Sequence, residues 1–139
     1  MEAREILKTS VVTLRYHKQY KLVYLTWHSK GGLSLQAYKE PFEFLAERSD
    51  LPVLGILSDN RNQGIVGTQL RSWLQKVGTP KAVARGLKCY FAVIDGNVFK
   101  KYYINTIFKL LEGKGLELKA FQDFDEAERG IKTAVSKFL

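Results

Sequence analysis

Residues 52–64 read PVLGILSDNRNQG. The stretch from Pro52 to Leu57 is apolar; at Ser58 the character changes, and Ser58-Asp59-Asn60-Arg61-Asn62-Gln63 leads to Gly64. A short apolar run that ends in polar residues is the pattern of a buried strand delivering a loop. A helical stripe follows, with Val66, Leu70, Trp73, Leu74 and Val77 at spacings of three and four. Residues 87–94 (LKCYFAVI) repeat the pattern. They lead through Asp95-Gly96-Asn97 into a helix with Phe99, Tyr103, Ile104, Ile107, Phe108, Leu110 and Leu111, closed by Gly113 and Gly115. Strands alternating with helices in this way predict parallel βαβ units with right-handed crossovers.

Upstream, residues 11–16 (VVTLRY) and 21–27 (KLVYLTW) are β-rich, with a hairpin expected at His17–Tyr20. The first of these strands must then run antiparallel to the second. Ser34 is placed to cap a helix carrying Leu35, Tyr38, Phe42 and Leu45, and Pro41 inside it predicts a kink or two pieces. Gly78-Thr79-Pro80 is expected to stop the next helix. Downstream, residues 116–121 (LELKAF) alternate as a half-covered strand does. Asp123 opens a last helix with Glu126 as its capping-box partner and a stripe of Ala127, Ile131, Ala134, Val135 and Phe138. The order ββαβαβαβα describes an α/β fold: one sheet of about five mixed, mainly parallel strands with four helices. Residues 1–139 read as a single domain.

Twenty-two Lys and Arg against 14 Asp and Glu leave a net charge of +8, which would attract nucleic acid, anionic lipid or an acidic protein. The cations are spread from Arg4 to Lys137 with no run of five, the pattern of a solvated basic surface rather than a nucleic-acid stripe. The basic segment 79–88, with Lys100, Lys101 and the adjoining Tyr102 and Tyr103, keeps nucleic-acid or anionic-membrane association as a third hypothesis. Cys89 is the lone cysteine, so no intramolecular disulfide forms, a reducing compartment is expected, and its apolar neighbours make it a small core residue. The opening MEAREILKTS lacks the apolar stretch of a secretory signal, and no run approaches the roughly 18 apolar residues of a membrane span. The expected location is the cytoplasm. Two histidines and one cysteine, far apart, predict no metal site. Gly64 and Gly67 without a following lysine make a poor phosphate loop, so no cofactor is expected.

Parallel strands collect their carboxyl ends on one edge, where ligands of open α/β sheets settle. That edge gathers Trp27, His28 and Ser29, then Ser58, Asp59, Asn60 and Arg61, then Asp95 and Asn97. Asp59 and Arg61 there read either as a site for a partner or anion, or as a turn cap with the arginine paired to it. His28 and Asp59 would form an acid–base pair if their strands adjoin, with Ser29 or Ser58 as the local nucleophile. The Gly-x-Ser-x-Gly elbow of hydrolases is absent, and no catalytic residue is assigned.

Four stretches in order carry a family likeness: YKLVYLTWHSKGGLS (20–34), ILSDNRNQG (56–64), TPKAVARGLKCYFAVIDGN (79–97) and LKAFQDFDEAERGI (118–131). From about residue 11 onward they resemble the STAS superfamily, the sulfate-transporter and anti-sigma-factor-antagonist domain, and within it the SpoIIAA-like stand-alone proteins of bacteria. The resemblance implies a (βα) superhelix with sequentially ordered strands. It also implies a non-enzymatic binding or regulatory role, with a contact face around Asp59, Asn60, Arg61 and the start of the second helix. The antagonists' phosphorylated serine does not carry over: Asn62–Val66 holds no serine or threonine, Ser58 comes too early and Thr68 too late. A further resemblance, to the CRAL-TRIO lipid-binding domain, implies the alternative of a carrier or sensor of a small apolar ligand. A homodimer through edge strands or aromatic helices is a further expectation.

Overall fold

The structure, a computed structural model, describes residues 3–28, 34–63 and 67–139. Ser29, the pair Gly31–Gly32, the stretch Gly64–Val66 and the side chain of Phe99 lie outside the described residues. Six strands form one sheet: β1 (Arg4–Lys8), β2 (Val12–His17), β3 (Leu22–Trp27), β4 (Gly55–Asp59), β5 (Cys89–Val93) and β6 (Glu117–Phe121), side by side in chain order. β1/β2 and β2/β3 pair antiparallel; β3 to β6 are parallel. The fold is α/β, as expected, with one strand more. The extra strand β1, REILK, holds three charged residues in five and no apolar alternation that would mark it. It becomes a strand by pairing with β2, across a register shift between Glu5 and Leu7. Charges and a bulge are what an outer strand carries when it must not pair further.

The helices are α1 (Leu35–Ala46), α2 (Thr68–Trp73), a π-helical turn (Leu74–Gly78), α3 (Thr79–Ala84), α4 (Val98–Leu111) and α5 (Phe124–Ser136). α2, the π turn and α3 run on without a break, so the described residues hold four helical segments. Strand order is sequential, so there is no point at which the order reverses. Crossovers of one hand that always step to the next strand pass over the same face. That face packs Leu14, Val23, Leu25, Trp27, Ile56 and Ala92 against Tyr38, Leu70, Leu74, Ile104 and Leu111 of the crossover helices. α5 packs against the other face. There Leu22, Leu57, Phe91 and Val93 meet Ala127, Ile131, Ala134 and Val135. It seats at Gly55, where a Cβ would lie 2.7 Å from Leu22 and 2.9 Å from Val135. The β4 register alternates accordingly: Ile56 and Ser58 look to the crossover helices, Leu57 to α5.

Several local expectations change. Ser34 caps α1, its hydroxyl accepting from the Ala37 amide at 3.1 Å, and the helix runs in one piece through Pro41. Gly78-Thr79-Pro80 does not stop the second helix. Pro80 falls at the start of α3, and the wider π turn before it accommodates the proline without ending the helix. The extra residue also rotates Val77 outward to 43% exposure. Asp123 is the N-cap of α5 but makes no side-chain capping bond, so the capping box is not formed. Phe138 is exposed at the end of the chain rather than part of the core stripe. Among the described residues no helix is long and apolar enough to cross a membrane.

Candidate functional site

β4 begins at Gly55, three residues after the expected start, and ends at Asp59, two beyond the expected end, so Ser58 and Asp59 belong to the strand and not to the turn. Parallel pairing on both sides holds them: Ser58 lies between Leu25 and Ala92, Asp59 between Thr26 and Val93. Their side chains therefore leave on opposite faces of the sheet.

Asp59 takes the α5 face. Arg61 donates to it twice, Nε to Oδ1 at 2.9 Å and Nη2 to Oδ2 at 2.7 Å, and the Arg61 amide adds a 3.2 Å bond to Oδ1. The carboxylate raises the Arg61 guanidinium above its ordinary value through these bonds. Phe124 of α5 lies under the guanidinium at 5.8 Å. Lys100 Nζ donates to the Arg61 carbonyl at 2.8 Å and to Asp95 Oδ2 at 3.1 Å. Asp95 and Asn97 accept from the Asn97 and Lys100 amides at the start of α4. Asn60 donates to Gln63 at 2.5 Å, leaving Asn60 Oδ1 and Gln63 Nε2 buried without a partner. The edge thus brings together Asp59, Arg61, Asp95 and Asn97, with Lys100, Gln63 and Phe124, which sequence reasoning missed. It is a network closed mainly on itself.

His28 is not part of it. Its Nε2 lies 2.8 Å from Thr13 Oγ1, and the backbone amide donates to Val11. The acid–base pair with Asp59 is not formed, because Asp59 is held by Arg61 while His28 sits over β2. Nor do Trp27 and Ser58 face the edge. The Ser58 hydroxyl is fully buried and accepts from Trp27 Nε1 at 3.1 Å. Cys89 is buried too, and loss of solvent pushes its thiol up to about 11. Among the described residues no group of three or more His, Cys, Asp or Glu could hold a metal.

Trp27 leads to a different site. Its ring stacks on Tyr38 at 5.3 Å, Tyr38 meets Phe42 and Trp73 at 5.5 and 6.4 Å, and Phe42 meets Trp73 at 5.8 Å. The outer two rings of this chain, Phe42 and Trp73, wall a cavity of about 180 Å³ between α1, the π turn, α3 and the sheet. Leu45, Leu51, Ile56 and Leu87 form its buried floor. Leu51 and Leu87 precede β4 and β5, which puts the cavity at the amino ends of the parallel strands, opposite the Asp59 edge. Its walls are fixed by polar ties. Arg85 on α3 donates to the carbonyls of Leu45, Ala46 and Arg48, capping α1. The Tyr16 hydroxyl holds the Pro52 carbonyl at 2.7 Å. Gly78 lets the Trp73 ring lie flat on the π turn, since a Cβ there would come within 2.8 Å of it. The cavity meets solvent at Glu43, Val77 and Lys81, all exposed. No motif marked it, because its walls come from segments up to 48 residues apart in sequence, from Lys39 to Leu87.

Compared with known proteins, the chain matches no family model, no curated protein and no solved structure.

Proposed function

We propose that the protein is a non-enzymatic binding module, a carrier or sensor of a small apolar or amphipathic molecule held in the cavity between α1 and the π turn. The observation that carries this reading is the cavity itself. Its roughly 180 Å³ of concave space, lined by aromatic and aliphatic side chains and open to solvent on one side, can take in a small apolar group and enclose most of it. Aromatic walls and a few placed polar groups are the usual lining of a ligand site, and π turns concentrate at such sites. The buried Ser58 and the Thr13-bound His28 support the non-enzymatic part of the reading, since neither is poised to attack a substrate. Intrinsic fluorescence tests the proposal. Trp73 lines the cavity and Trp27 does not, so titration with short-chain amphiphiles should change emission in wild type but not in Trp73→Phe. Ala82→Leu, which fills the cavity, should abolish binding while leaving the fold intact. No response to any amphiphile, or equal binding by Ala82→Leu, sinks the reading.

A second reading is a STAS-like regulatory module of the bacterial cytoplasm that meets a protein partner at the Asp59 edge. Arg61 favours it, since Asp59 fixes its guanidinium in place while leaving the side chain 42% exposed to a partner. A pull-down with Asp59→Ala and Arg61→Ala tests it; equal partner recovery from both variants and wild type removes this face.

A further inference from the structure

We infer that the cavity ligand is a monoanion, a short-chain carboxylate whose chain enters between Phe42 and Trp73 and whose head rests at Lys81. The inference deepens the cavity reading and rests on it. Size limits the chain: an apolar cavity of roughly 150 Å³ admits benzene, so about 180 Å³ takes a chain of roughly six to eight carbons. Charge selects the head. The cavity is lined by three cations, Lys39, Lys81 and Arg85, against one acid, Glu43. Two of the cations are already engaged. Arg85 is spent on the last carbonyls of α1. Lys39 pairs with Glu43 at 3.7 Å and lies over the Trp73 ring at 5.7 Å. Lys81 is exposed at the mouth, and its ammonium has no ion-pair or hydrogen-bond partner among the described residues. The Lys39–Glu43 pair is close to neutral, so the field at the mouth is that of Lys81 and Arg85. A cationic head would meet both; an anionic head gains a lysine that binding need not strip from a partner. The net charge of +8 draws anions toward the surface in the same sense.

The test compares octanoate, 1-octanol and octylamine by Trp73 fluorescence at low salt, in wild type, Lys81→Gln, Lys81→Glu and a control at the opposite end of the sheet, Lys101→Gln. An ion pair of this exposure is worth up to about 1 kcal/mol, so octanoate should bind about fivefold tighter than octanol. Lys81→Gln should remove that preference, Lys81→Glu should reverse it in favour of octylamine, and Lys101→Gln should keep it. If octanol binds as well as octanoate, the head-group assignment is wrong while the cavity stands as a site. A preference for octanoate that survives in Lys81→Gln also overturns the assignment. If none of the three binds, the cavity reading fails with it.

Discussion

Asp59 illustrates how one side chain can look catalytic in sequence and act as a clamp in the fold. Its carboxylate is nearly buried while Arg61 is 42% exposed, so the pair is stronger than a surface ion pair and weaker than a fully buried one. Asp59→Ala should cost about 1–2 kcal/mol in urea unfolding, and the double variant with Arg61→Ala little more, since the two residues share one interaction. Cys89 makes a second prediction. Its thiol titrates near 11 in the fold and near the ordinary thiol value, roughly 8.5, when unfolded. The folded state therefore holds its proton longer, so the stability it contributes is present below about pH 8.5 and is lost as pH rises through about 11. Stability should fall over that range less steeply in Cys89→Ala than in wild type. Native protein at pH 8 should react with Ellman's reagent far more slowly than urea-unfolded protein. Cys89 lay in apolar sequence, and its burial was legible; Ser58 opened the polar stretch and read as an edge residue, yet it is fully buried. The bond from Trp27 to Ser58 was not legible, because it joins residues 31 apart on neighbouring strands.

Among the elements, the π turn is the one whose behaviour sequence periodicity could not supply. The stripe through Leu70, Leu74 and Val77 is helical, and Pro80 read as a stop because a proline inside an α-helix clashes with the preceding turn. The structure instead widens one turn, which moves Pro80 to a helix start and leaves Trp73 folded against Gly78. Gly78→Ala tests the arrangement. Alanine gains about 1 kcal/mol of helix propensity, but its methyl must displace the Trp73 ring at a cost of about 1–3 kcal/mol. Stability should change by no more than about 2 kcal/mol. Ligand affinity should fall more than stability does, since the ring has nowhere to go but the cavity; unchanged affinity would show that Trp73 does not shape the site. β1 was illegible for a related reason: Arg4–Lys8 has no pattern of its own, and its strand exists only as a partner of β2.

The whole molecule is a sheet with two unequal covers. Sequential strand order puts α1, α2, α3 and α4 on one face and leaves α5 alone on the other, so the cavity and α5 are separated by the sheet. Ile131→Ala, deep under α5, should cost about 2–5 kcal/mol by differential scanning calorimetry while leaving the ligand affinity of the folded protein unchanged. A parallel loss of affinity would mean that the two faces are coupled through β4. The runs of β-branched and aromatic residues in β2 to β5, the amphipathic stripes of α1, α4 and α5, and the polar composition of the carboxyl edge were all decided by sequence alone. Each depends on contacts between near neighbours in the chain or on the period of one element. Strand order, the sixth strand, the self-satisfied Asp59–Arg61–Lys100–Asp95 network and the cavity were decided only by tertiary structure. They join residues tens of positions apart, and a contact of that separation leaves no periodic trace in either of the segments it connects.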